Sequence, residues 1–140
     1  MFEKILLAVD NSPHSVRAVE AATNLAKLTN GTLNHVTLNG DIELVNNANL
    51  TLLNGLKLNG IAKLGDAATY GHMDFKGSQT LDGNATVVFG DNTFNALLLT
   101  DANTSLTLGP SVLVHGTTGT IGNDPPFTGL LNVGVINHGT

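Results

Sequence analysis

The chain has no cysteine, which excludes disulfides and thiolate metal sites and leaves the redox compartment open. It also lacks tryptophan, and charged residues make up only 12% of its 140 positions, about half the share usual for a soluble globular protein. Arg17 is the only arginine, so neither a phosphate-tracking basic surface nor a basic clamp for an acidic sugar can be assembled. Nucleic acid is therefore not expected as a partner. The apolar run at the start, Ile5 to Val9, ends at Asp10, too soon for a signal peptide core or a membrane span. As written, the chain is expected to remain cytoplasmic and to span no membrane.

What is present is apolar and turn-rich. Apolar residues account for 41%, 16 glycines are spread along the chain, and Asn and Thr supply much of the polar content. That mixture favours pleated strands and tight turns over solvent-facing helices. Charge divides the chain unevenly. Up to Gly31, Lys4, Arg17 and Lys27 balance Glu3, Asp10 and Glu20, so the whole formal charge of −5 falls on residues 32–140.

The opening reads as strand, turn and helix. Ile5 to Val9 form a continuous apolar run suited to a strand covered on both faces. Ser12 is a candidate N-cap and Pro13 fits the first helical position. Val16, Val19, Ala22, Leu25, Ala26 and Leu28 then recur on one helical face until Asn30-Gly31 provides a left-handed exit. The stretch MFEKILLAVDNSPHSVRAVEAATNLAKLTNGTLNHVTL resembles the first strand, first helix and second strand of the universal stress protein family. That resemblance implies a doubly wound parallel sheet and, in one branch, ATP binding. It further implies that Asp10 lies near the adenosine and that Val36 flanks the base. The phosphates would fall to a late glycine pattern whose spacing is met by Gly116, Gly119 and Gly129, although Leu130 replaces the hydroxyl residue and Pro125-Pro126 interrupts the segment.

Beyond residue 40 no window has the 3.6-residue periodicity of an amphipathic helix. Short alternating runs appear instead, such as Ile42-Glu43-Leu44, Leu50-Thr51-Leu52 and Leu56-Lys57-Leu58, each closed by Asn, Asp or Gly. They also echo one another. TLNG at 37–40, KLNG at 57–60 and TLDG at 80–83 form one series, and NANLTLLNG at 47–55 is echoed by DANTSLTLG at 101–109. A loose period of about 20 to 25 residues predicts a solenoid in which each coil buries its apolar side chains against the next. The fold expected is mainly β, a parallel β-helix. Residues 32–140 are similar in texture to adhesin-like repeats of the filamentous haemagglutinin type, which implies an exported parent.

Candidate chemistry in the repeats is sparse. Asp74 with Asp82, or Asp91 with Asp101, would be the carboxylate pairs for acid/base work, but Asp beside Gly and Asn reads more simply as turn residues. No two of His14, His35, His72, His115 and His138 have helical metal-ligand spacing, while His115 and His138, one period apart, invite stacking on successive coils. Tyr70, Phe75, Phe89, Phe94 and Phe127 read as core or coil-edge packing. The sequence thus predicts a strand-helix cap over residues 1–31 and a solenoid over 32–140. The expected function is non-enzymatic, structural or adhesin-like, without cofactor, with self-association through an uncapped C-terminal end; a natural or made chimera would explain the change of texture. The alternative is a divergent universal stress protein that binds ATP.

Overall fold

The computed structural model describes residues 30–129 and 131–140. The expected strand and helix before Asn30, and Asp10 with them, lie outside the described residues. From Gly31 onward the chain is a parallel β-solenoid of about four turns. Its strands are β1 (Gly31–Asn39), β2 (Ile42–Leu44), β3 (Ala48–Leu64), β4 (Gly71–Lys76), β5 (Gln79–Asp82), β6 (Ala85–Leu99), β7 (Thr104–Leu108), β8 (Leu113–Gly122) and β9 (Val133–Asn137), with one short helix, α1 (Pro125–Thr128).

Every strand pairing among these elements is parallel, and the registers define three faces. On the first face Leu33, Leu52, Phe75 and Leu99 stack in one column. The second stacks Val36, Leu56, Leu81 and Leu108. The third stacks Ile42, Ala62, Val87 and Val114. Successive coils are thus joined by continuous ladders whose strands lie about 4.8 Å apart. The period-two runs point alternate residues inward, and Leu52, Leu58, Leu64, Phe75, Leu81, Leu97 and Leu106 are completely buried. Burying each such side chain contributes about 1.5–3 kcal/mol, which no isolated coil could obtain.

Asn and Gly turn the corners, as expected, because they accept positive φ. Asn46, Asn47, Asn54 and Asn103 all adopt φ near 60°, as does His35 at 51°. Several of these corners are also laddered. Asn54 donates to Asn34 Oδ1 at 2.8 Å, and Asn59 donates to Asn39 Oδ1 at 2.7 Å, each across 20 residues. Further along, Gly77 is tied to Asp101 across 24 residues, Ser105 to Ser78 across 27, and Asn132 to Asn103 across 29. The period is therefore about 20 to 25 residues over most of the solenoid and lengthens toward its end.

This drift corrects two of the sequence echoes. TLNG and KLNG are in register, since Leu38 pairs with Leu58 and Asn39 with Asn59. In TLDG, however, Leu81 pairs with Leu56 rather than Leu58. A slip of two residues preserves the inward and outward alternation, so the pattern alone cannot detect it. The second echo fails more completely: Leu50 to Leu53 lie on the first face and Thr104 to Leu108 on the second. His115 and His138 do not stack either. His115 pairs with Val88, whereas His138 donates its backbone N–H to Leu108.

Candidate functional site

The first face departs from simple alternation. Residues Asn95 to Leu99 are all buried, and so are Gly71, His72 and Met73. Leu97, Leu99 and Met73 point into the solenoid core. Ala96 and Leu98, 0% and 2% exposed, stand outside that core on the outer surface, in ladder register with His72 and Asp74. The outer surface of the first face is therefore covered.

Three corners bring aromatic rings together at His72. Tyr70 comes from the turn between β3 and β4, Phe94 from the corner inside β6, and Phe127 from α1. The Phe127 ring lies 4.5 Å from the His72 ring, 5.3 Å from Tyr70 and 5.7 Å from Phe94, edge to face in each case. Tyr70 also meets His72 at 4.7 Å. Contacts of this geometry contribute about 0.5–1.5 kcal/mol each beyond area burial. Local bonds hold α1 in place: Phe127 and Thr128 donate backbone N–H groups to Asp124 O, and Asn123 Oδ1 accepts from Thr128 Oγ1 and Leu131 N. Phe94 and Phe127 remain 44% and 42% exposed, so the cluster has a dry base and an open aromatic rim.

At the base His72 is essentially inaccessible. Its Nε2 lies 2.6 Å from Phe94 O, and because a carbonyl only accepts, Nε2 carries the hydrogen. Its Nδ1 faces Asp74 Oδ1 at 3.7 Å, beyond hydrogen-bond reach but within ion-pair range. Asp74 Oδ1 is buried with no hydrogen-bond partner, as is Asn49 Oδ1, one ladder step from His72. Burial pushes the Asp74 carboxyl above its ordinary range, while the positive charges of His72 and Lys76 pull the other way and less strongly.

Asn95 fixes the inner edge of the same corner. This fully buried amide accepts from Gly71 N–H at 3.1 Å and donates to Gly90 O at 3.1 Å and Thr118 O at 3.2 Å. It thereby links three successive coils. Gly65, at φ 69°, has no room for a side chain because the Asn95 carboxamide occupies that space.

The sequence-derived candidates are dispersed among these elements. Val36 is buried on the second face of the first coil and lines an open groove of about 310 Å³ with His35, Lys57, Thr80 and Asp82. Gly116 and Gly119 lie on β8, where a side chain at either position would collide with Phe89. Gly129 closes α1 with φ 69° and donates its N–H to Pro125 O. None of the three glycines lines the groove at Val36. Asp74 and Asp82 stand on different faces, and Asp91 and Asp101 flank the first-face segment of β6, one before it and one beyond the strand's end. No group of three or more His, Asp or Glu gathers in metal-binding geometry among the described residues.

The aromatic cluster was missed from sequence, where Tyr70, Phe94 and Phe127 read as separate packing residues. A signal was available: Tyr70 and Phe94 differ by 24 positions, the same step that places His72 beside Ala96.

Among the described residues no helix is long and apolar enough to cross a membrane. In comparison with known proteins, the model of the universal stress protein family matches residues 1–56. No curated protein and no solved structure matches. The matched segment extends past Gly31 through β1 and β2 into β3, where the described residues form solenoid ladders with no helix between strands.

Proposed function

We propose that the chain is a non-enzymatic β-solenoid module of structural or adhesin-like type, capped at its start and associating with a second copy through its last coil. The asymmetry between the two ends supports this reading. In the first coil Leu33, Val36, Leu38, Ile42 and Leu44 are no more than 6% exposed. In the last, Val135 continues the inward Leu106 column yet is 41% exposed, and Ile136 beside it is 47% exposed. An open column with a free strand edge binds another strand edge unless something covers it. Under this reading the segment with the amphipathic pattern, residues 13–29, would serve as the cover for the first coil, and a second molecule as the cover for the last.

Sedimentation velocity over a wide concentration range tests the association. The chain is expected to dimerise, and Val135→Lys, which puts a charge at the open end, to remain monomeric with an unchanged far-ultraviolet circular dichroism spectrum. A parent chain that stays monomeric throughout overturns the proposed association.

The family match favours a second reading, because residues 1–56 include both Asp10 and Val36. Under it the chain binds ATP, and Asp10→Ala weakens binding measured by calorimetry. A silent titration at millimolar ATP removes this reading and leaves the structural one standing.

A further inference from the structure

The His72 and Asp74 pair occupies the covered outer surface of the first face, and its geometry requires a proton. Nε2 is committed to Phe94 O, so a neutral imidazole turns its Nδ1 lone pair toward the unpartnered Asp74 Oδ1. With the proton on either atom, the 3.7 Å contact is an attraction between donor and acceptor or between opposite charges. Without it, a lone pair and a carboxylate face each other in a dry site, which is strongly unfavourable.

The surroundings offer no substitute. On β4 the charged neighbours are Asp74 itself and Lys76. The ladder neighbours of His72 are Asn49 and Ala96, and those of Asp74 are Thr51 and Leu98. The turn before β4 contributes Tyr70 and, further back, Asp66, whose carboxylate accepts from Ala68 and Thr69 N–H groups. The corner inside β6 contributes Phe94 and Asp91, and the segment at α1 contributes Phe127 and the buried Asp124. Lys76 is thus the one permanent cation among these groups.

We propose that His72 and Asp74 share one proton at the base of the aromatic cluster, and that its loss releases residues 123–129 from His72, exposing the imidazole and the aromatic rings. The sign follows from Asp74. Its folded carboxyl binds a proton more tightly than an exposed one. The covered state is therefore favoured at low pH, and that advantage disappears as pH rises through the raised value. The device is a cover that is closed in acid and open toward alkaline pH.

The chain contains a single tyrosine and no tryptophan, so the near-ultraviolet tyrosine signal reports on this cluster alone. We expect the Tyr70 signal to be strong in acid and to fall as pH rises, within the range below tyrosine ionisation, with the far-ultraviolet spectrum constant. Over the same range hydrogen-exchange protection of residues 123–129, corrected for intrinsic rates, should fall about tenfold per unit by which closure raises the pair's proton affinity. Asp74→Asn places a non-titrating carboxamide donor before Nδ1 and should keep both signals across the range. Phe127→Ala should weaken the Tyr70 signal at both extremes and abolish the transition. A flat profile in the unmodified chain overturns the proposal, whether or not either variant folds. So does an unchanged transition in Asp74→Asn, or one that persists in Phe127→Ala.

Discussion

The early coils and the late coils share one core but turn their corners differently. Between the first two coils the period is 20 residues, the first corner is a single residue in one coil and Asn54-Gly55 in the next, and the Asn side chains are laddered. Between the last coils the period reaches 29 residues, and the added length carries Pro125, Phe127 and the bonds that fold α1 back over the first face. The core needs only that inward residues stay apolar and in phase. Corners can therefore lengthen without disturbing it, since each added loop residue costs little closure entropy. The early coils are scaffold, and the features with chemical character collect where the corners grow.

Substitutions can break that division. The largest effect is expected within the shared core: Phe75→Ala, at a fully buried position, should cost about 3–5 kcal/mol by chemical denaturation. Asn95→Leu should follow closely. It leaves the buried Gly71 N–H without its partner, at about 1–3 kcal/mol, and takes a donor from Gly90 O and Thr118 O, which are only partly buried. Were it neutral, the polar link between early and late coils would be dispensable. Asn59→Ala removes the bonds to Asn39 and Asn84 at an exposed corner and should lower stability by about 1 kcal/mol. Lys63→Ala breaks the exposed ion pair with Glu43 at 3.4 Å and should change stability by less than about 0.5 kcal/mol. If the Asn59 and Lys63 substitutions proved equal, the laddered corners would be ordinary surface after all.

Much of the solenoid was legible in the sequence. Alternating Leu and Thr closed by Asn and Gly implies strands and corners, because Asn54, Asn103 and Gly83 tolerate the positive φ that their turns adopt. Stacking was legible as well, in the texture that recurs every 20 to 25 residues. Register was less so: the echo at 80–83 is displaced by one alternation, and that at 101–109 lies on another face. The glycines at 116 and 119 matched a phosphate pattern by spacing, while the structure accounts for them by the ring and backbone of Phe89.

By itself the sequence determined the fold class, the parity of the alternating runs and the residue types at the corners, since these follow from local backbone preference and from apolar side chains recurring every second position. Only the tertiary structure decided which coil met which, and so which side chains became neighbours. His72 is one of five histidines and Asp74 one of several turn-rich aspartates until Phe127 arrives from more than fifty positions away to set its ring edge to face against the imidazole. Their meeting depends on the summed lengths of the intervening corners, a quantity that local pattern does not constrain.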